Sequence, residues 1–253
     1  MLEVESERKY SNLHLYIKKI NINYYKNNQQ MKGESFMIPY YIIMGIIAYL
    51  IGSVNFSVLI SKKVAGFDLR EKGSGNAGTT NMLRTVGKGA AVVTLILDIL
   101  KGVVAIWAAI GYGNLISWLK KLSIDNSILV QLAGIFVIIG HTYPIYFGFK
   151  GGKGVATSLG ILLTTNYQIG LICLVFALIL MVLTKMVSVG SLAAAILFPV
   201  LTLFLAKDNF IVQGNYLIYS IIIALIVIFN HRSNVKRLLN GTENKISFKK
   251  KED

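Results

Sequence analysis

The chain has 253 residues, of which 54% are hydrophobic and only 15% are charged. Soluble domains of this length rarely combine these values, so the composition indicates a polytopic membrane protein. The net charge is +14, but the cations lie mostly in loops between apolar runs and form no basic-aromatic face for bases. We therefore expect no nucleic-acid partner, and assign the charge to a positive-inside bias, anionic membrane lipids and an anionic substrate.

Residues 1–36 differ from the rest because they are polar and rich in Lys, Asn and Tyr. They lack the apolar core of a signal peptide and a trustworthy helix or strand period. One hypothesis is an upstream extension with the true start at Met37, since a purine-rich ribosome-binding stretch could encode Lys32-Gly33-Glu34. The alternative is a disordered surface tail. Residues 37–253 are expected to form a single transmembrane domain.

Apolar segments after Met37 predict an all-α, polytopic membrane fold with about seven transmembrane helices. The segments cover residues 37–61, 88–112, 127–147, 154–165, 168–184, 187–206 and 215–230. The fourth is too short for a standard span of about 20 residues, so we expect a half-helix or a strongly tilted helix. Pro199 in the sixth predicts a kink.

The loop charges predict the orientation. One side holds residues 62–87, 148–153, Lys185 and the basic C-terminal tail, whereas the loops of the other side hold Lys120, Lys121 and Lys207. The cation-rich side should be cytoplasmic, with Met37 outside and Asp253 inside. A five-span arrangement that merges short segments would keep the same loops inside.

Two glycine-rich loops carry hydroxyls and fixed positive charge next to apolar spans. The first reads Gly73-Ser74-Gly75-Asn76-Ala77-Gly78-Thr79-Thr80-Asn81-Met82-Leu83-Arg84, and the second reads Phe149-Lys150-Gly151-Gly152-Lys153-Gly154-Val155-Ala156-Thr157. Glycine lets backbone N–H groups turn towards an anion. We expect a helix beginning near residue 76 to add its first N–H groups, and the second loop to form an anion nest at a helix N-terminus. The alternatives are a flexible turn and a packing loop with routine cytoplasmic cations.

Further polar side chains adjoin these loops. His141 ends the third segment and could be a general base, a phosphate donor or, more often at such a position, a structural hydrogen-bonder. Asp98 and Lys101 are i, i+3 neighbours that should pair within the second segment. After the last segment, His231 and Asn234 share a helical stripe that Gly241 would end, and Glu243 should pair with an Arg or Lys.

Together these stretches resemble the bacterial acyl-phosphate-dependent glycerol-3-phosphate acyltransferases, the PlsY family. The resemblance covers Met37 to about Lys245 and rests on three motifs in order. These are residues 73–84, then Gly140-His141 with Pro144 and residues 149–157, then His231-Arg232, Asn234, Arg237-Leu238, Gly241, Glu243 and Lys245.

The resemblance implies transfer of an acyl group from acyl phosphate to the 1-hydroxyl of glycerol 3-phosphate in phospholipid synthesis. It implies a bacterial inner-membrane enzyme with cytoplasmic site loops, no metal or organic cofactor, and a functional link to the acyltransferase that forms acyl phosphate. The catalytic candidates are Ser74, Arg84, Lys153, His231 and Asn234. The substrate-binding candidates are Gly75, Asn76, Thr79, Asn81, His141, Gly151, Gly152, Gly154, Ser188 and Glu243, with capping of a helix as the alternative for Ser188.

The proton acceptor stays open at this point. The His-(four residues)-Asp dyad of another acyltransferase class is absent. The substrate's own phosphate oxygen and His231 are the two candidates. Gly45, Gly52 and Ser53 could floor an acyl groove, although close helix packing is the preferred explanation.

Two other functions compete with the enzyme. An organic-phosphate transporter would also use glycine-cation loops, but transport sites lie near the midplane between internal repeats, and no convincing repeat is present. A lipid-binding scaffold would not need three polar motifs.

Overall fold

The computed structural model describes residues 36–122, 124–205 and 215–246, and every regular element in these ranges is helical. The chain divides into two compact units, Met1–Ile42 and Ile43–Asp253. Apart from Phe36, the predicted N-terminal extension lies outside the described residues. The boundary predicted after residue 36 stays a prediction.

The helices follow the apolar segments closely. They are α1 (36–53), α2 (Phe56–Ala65), α3 (Thr79–Thr85), α4 (Lys88–Lys120), α5 (Asn126–Thr142), α6 (Val155–Thr165), α7 (Tyr167–Thr184), α8 (Val187–Leu205), α9 (Tyr216–Asn230) and α10 (Arg232–Leu239).

Five stretches of the described residues are long and apolar enough to cross a membrane. They are Phe36–Ala65, Lys88–Lys120, Asn126–Phe147, Tyr167–Thr184 and Val187–Leu205. Helices α9 and α10 meet at 61° and add a sixth if they count as one span. Helix α6 has only 11 residues, as its short apolar segment predicted. The all-α membrane fold is therefore confirmed. The described residues hold five or six spans by length where about seven were expected, because α6 is too short to count as one.

Two local features depart from the expected segments. Asn55 interrupts the first segment because its side chain accepts a hydrogen bond from Val58 N–H at 3.2 Å and starts a new helix. The helix expected near residue 76 begins at Thr79, three residues later, and ends after two turns. Gly87, with φ +123°, then turns the chain into α4.

Small residues let the helices of the larger unit approach closely. Helix α4 packs on α5 and α6, α7 packs on α8, and α8 packs on α9. A Cβ on Gly160 would overlap the Ile99 carbonyl of α4, and one on Gly52 would overlap the Val137 carbonyl of α5. A Cβ on Gly45 would lie 3.2 Å from the Phe136 ring, which is a tight contact but not an overlap. Close packing therefore explains these α1 glycines, as preferred from the sequence.

Candidate active site

One cavity of about 670 Å³ lies in the larger unit. One end is formed by both glycine loops and α10, and an apolar arm extends between side chains of α6, α7, α8 and α9. Every residue proposed for the site from the sequence lines this cavity. These residues are Ser74, Gly75, Asn76, Thr79, Asn81, Arg84, His141, Gly151, Gly152, Lys153, Gly154, Ser188, His231, Asn234 and Glu243. Their individual roles stay predictions.

Asn81 shapes the first glycine loop. Its buried amide accepts a hydrogen bond from Ser74 N–H at 2.9 Å and donates to the carbonyls of Leu69 and Lys72 at 3.1 and 3.0 Å. Gly73 makes room for this amide with φ +61°. Because the Asn81 amide bonds to three backbone groups between residues 69 and 74, it holds the first loop in place. Ser74 stays exposed at the cavity.

The second glycine loop folds back on the end of α5. Gly151 N–H donates to the Thr142 carbonyl at 3.0 Å, and Gly152 N–H donates to the His141 carbonyl at 3.1 Å. These two N–H groups are therefore not free for an anion, and the expected nest is wrong at these positions. The first turn of α6, after Gly154 with φ +85°, still lines the cavity.

The two loops are joined to each other. Gly151 supplies a carbonyl that accepts from Ala77 N–H and from the Asn76 side chain, both at 3.4 Å. The Arg70 guanidinium donates to the carbonyls of Phe147 and Lys150. These bonds fix the second loop against the segment that carries the first.

His141 belongs to a buried charged group. Asp98 and Lys101 form the expected ion pair at 2.9 Å, with both side chains 3% exposed. His141 Nδ1 lies 3.6 Å from the same Asp98 oxygen, and Lys101 also donates to the Val54 carbonyl at 3.1 Å. Because a Cβ on Gly152 would overlap His141 Nε2, this group also sets the position of the second loop.

Glu243 gathers three donors at the other side of the cavity. Ser188 Oγ, Asn234 Nδ2 and Arg237 Nε each donate to its carboxylate at 2.8 Å. Burial raises the pKa of Glu243, but the hydrogen bonds from Asn234, Ser188 and Arg237 outweigh it, so the pKa is lowered and the group stays ionised. The expected pairing with a cation is confirmed. Ser188 bonds to this carboxylate rather than capping α8.

Lys153 joins the second loop to this network. Its ammonium group donates to Asn234 Oδ1, so Asn234 lies between Lys153 and Glu243. Burial lowers the pKa of Lys153 to about 8, and the nearby charges of Arg237 and Arg84 act in the same direction. A partly desolvated cation therefore lines the cavity beside α10.

His231 is oriented by its own helix. The residue is 3% exposed, and Nδ1 lies 2.8 Å from the Val227 carbonyl. A carbonyl oxygen can only accept, so Nδ1 carries the proton and the neutral ring keeps its lone pair on Nε2. Gly241, with φ +68°, ends α10 as predicted.

The family model of glycerol-3-phosphate acyltransferase matches residues 42–241. This chain belongs to that family. The acyltransferase chain is 42% identical over 210 residues to the glycerol-3-phosphate acyltransferase of Clostridioides difficile strain 630, covering 83% of this chain and 97% of the relative. It is 44% identical over 204 residues to that of Halalkalibacterium halodurans C-125, covering 80% and 94%.

Solved structures agree with the sequence relatives. The acyltransferase matches the crystal structure of PlsY (YgiH), an integral membrane glycerol 3-phosphate acyltransferase in its glycerol 3-phosphate form. The TM-score is 0.68 at 36% identity, with 82% of this chain and 96% of that chain covered. The lysophosphatidic acid form of PlsY gives a TM-score of 0.65 at 34% identity. The acyltransferase is thus an integral membrane protein.

Two residues that line the acyltransferase cavity and one that supports it from outside were missing from the sequence-based set. Asn230 donates to Thr142 Oγ1 at 3.0 Å and to the Lys153 carbonyl at 3.4 Å. Arg237 pairs with Glu243, and Arg70 holds the second loop. Asn230 adjoins the third motif and Arg237 lies within it, so both could have been found there. Arg70 gave no such signal because the two carbonyls that it binds in the second loop segment, those of Phe147 and Lys150, lie far along the chain.

Proposed function

We propose that this acyltransferase moves a fatty acyl group from acyl phosphate to the 1-hydroxyl of glycerol 3-phosphate, giving 1-acylglycerol 3-phosphate and phosphate. The observation that carries the proposal is one cavity with a cationic, glycine-lined end and an apolar arm. The proposed product has the same division, with a phosphate at one end and an acyl chain at the other. The family and the names of its relatives support glycerol 3-phosphate as the acceptor.

The polar end supplies the groups that bind the two phosphates. Lys153 and Arg84 bring positive charge, and Ser74 and Asn234 bring neutral donors, all on the cavity wall. Hydrogen bonds between cations and phosphate oxygens are stronger than bonds between neutral partners. Glu243 holds Asn234 through its Nδ2, so this amide has a fixed orientation before substrate arrives.

The reaction itself needs positioning more than activation, since acyl phosphate is already a mixed anhydride. The hydroxyl oxygen of glycerol 3-phosphate forms a bond with the carbonyl carbon. The bond between that carbon and the bridging phosphate oxygen breaks, and inorganic phosphate leaves. Fixed cations and hydrogen-bond donors stabilise the negative charge that develops during this exchange.

The hydroxyl proton goes to a phosphate oxygen of the substrate. His231 is the rival acceptor because its Nε2 carries the lone pair and the ring lines the cavity. Loss of a base lowers kcat mainly, whereas loss of a phosphate contact raises KM. His231→Ala with near-normal kcat would remove the rival.

The cellular setting follows from the same chemistry. The cation-rich loops should face the cytoplasm of a bacterial cell, with the helices in the cytoplasmic membrane. Glycerol 3-phosphate is water-soluble and would enter from that side. The acyl phosphate would come from a separate acyltransferase that forms this mixed anhydride, and its chain would enter from the membrane lipids.

Purified protein in detergent tests the donor directly. Glycerol 3-phosphate is supplied with palmitoyl phosphate or, as the matched control, palmitoyl-CoA, and the acylated product is measured. We expect product from palmitoyl phosphate only. Product from palmitoyl-CoA alone would contradict acyl phosphate as the donor. Flux of glycerol 3-phosphate into proteoliposomes, with no product from either donor, would favour a transporter.

A further inference from the structure

The apolar arm of the cavity has small residues along one helix face and ends at a large one. On α8 the lining side chains after Ser188 are Ser191, Ala194, Ala195 and Phe198. At 1.5 Å per residue, Phe198 lies about 15 Å along the helix from Ser188, whose hydroxyl bonds to Glu243 at the polar end. The narrow side chains leave room beside α8 until the Phe198 ring.

Phe198 is backed by two further rings. It is 2% exposed, and its ring meets Tyr216 of α9 edge to face, with centroids 6.0 Å apart at 72°. Tyr216 stacks on Tyr219 at 5.6 Å. The two tyrosines are 3% and 2% exposed and lie behind the cavity lining. We call Phe198, Tyr216 and Tyr219 the aromatic cluster.

The aromatic cluster is also tied to the end of α6. Tyr216 OH lies 3.3 Å from Thr165 Oγ1, at the last residue of that helix. Tyr219 packs so closely on α5 that a Cβ on Gly134 would overlap its hydroxyl. Buried rings held by neighbours on several helices cannot move aside without disturbing close packing.

We propose that the aromatic cluster is the chain-length stop of the acyl site, with the end of the acyl chain against the Phe198 ring. The inference rests on the proposed function, because it assigns the apolar arm to the acyl chain of the donor. A chain that fits short of Phe198 gains buried area with each methylene. A longer chain meets the ring and gains no more, since overfilling a packed interior is unfavourable.

Variants of one residue test the stop. Activity is measured as kcat/KM with glycerol 3-phosphate and saturated acyl phosphates from dodecanoyl to eicosanoyl. Phe198→Ala should move the preferred donor to longer chains and raise the ratio of eicosanoyl to dodecanoyl activity at least about tenfold, from roughly fourfold per newly buried methylene. Phe198→Trp should shift the preference to shorter chains.

Phe204 is the matched control because it is the same residue type on the same helix, is 71% exposed and lies away from the cavity. Phe204→Ala should keep the wild-type profile.

An unchanged profile in both Phe198→Ala and Phe198→Trp would overturn the inference while wild-type turnover upholds the proposed function. If Phe198→Ala is inactive with every donor, Phe198→Leu decides: a longer optimum supports the stop, and the wild-type optimum overturns it. A wild-type enzyme that acylates glycerol 3-phosphate from none of these donors contradicts the proposed function itself.

Discussion

Lys153 lines the phosphate end with a pKa that burial lowers to about 8. A lysine binds phosphate as the ammonium ion, which predominates below that pH. We therefore expect kcat/KM of the free enzyme to fall as pH rises through about 8. Lys153→Arg should lose this alkaline decline because the guanidinium stays charged. The measurement is kcat/KM of the wild type and of Lys153→Arg across the pH range, after both proteins are shown to be equally folded.

Control variants distinguish the specific contribution of Lys153 from a general effect of positive charge on the protein. Lys153→Ala should lower kcat/KM about tenfold to a hundredfold, mainly through KM, as expected for a lost charged hydrogen bond. Lys72→Ala removes an exposed cation that does not line the cavity, and should leave both constants unchanged. An alkaline decline that persists in Lys153→Arg would assign it to another group.

Gly152 matters because it has no side chain at a position where the neighbouring atoms leave no room for one. An added methyl group would overlap His141 Nε2 and crowd the Ala77 carbonyl. Gly152→Ala should therefore displace the second loop and reduce kcat/KM by about tenfold or more, within the usual cost of overpacking. Gly89→Ala in α4 has open space and should retain activity. Wild-type kinetics in Gly152→Ala would show that the loop tolerates the shift.

At the scale of elements, Arg70 connects two segments that the sequence keeps apart. Its guanidinium binds Asp68 through two bonds of 2.9 and 2.8 Å and donates to carbonyls of the segment after α5. The hydrogen bond from Arg70 lowers the pKa of Asp68 to about 2, so the pair remains charged under all ordinary assay conditions. Arg70→Ala should lower the melting temperature and reduce kcat/KM about tenfold, the scale of a lost charged hydrogen bond.

Lys62 offers the comparison for Arg70 because it approaches the same carboxylate. It lies 3.5 Å from Asp68 with its side chain 57% exposed, and such surface pairs contribute little. Lys62→Ala should change the unfolding free energy by no more than about 0.5 kcal/mol. Equal effects of Lys62→Ala and Arg70→Ala would mean that charge near Asp68, and not the bond to the second loop, matters.

The lengths of the apolar segments predicted the long helices well, whereas the local structure of the polar stretches was harder to predict. The segments at 168–184 and 187–206 match α7 and α8 within one residue. The break at Asn55 was missed and the start of α3 was placed about three residues early, because a capping side chain and a Thr-Thr-Asn stretch are equally compatible with a loop. The misplaced anion nest has the same origin: glycine composition does not reveal that α5 carbonyls take the N–H groups.

At the scale of the molecule, the three motifs meet on one cavity, as their shared chemistry led us to expect. The connections that hold them together were not predictable from local pattern. Lys153 and Asn234 are 81 residues apart, and Arg70 lies 77 residues from Phe147. Such contacts depend on how helices pack, which composition and periodicity do not fix.

A structure of this protein with 1-palmitoylglycerol 3-phosphate is the decisive test of a shared site, because that ligand carries both a phosphate and an acyl chain. We expect its phosphate within hydrogen-bonding distance of Lys153 Nζ and Asn234, and its chain along α7 and α8 towards Phe198. A phosphate bound away from both glycine loops, or a chain that leaves between other helices, would contradict a single site for phosphate and acyl groups.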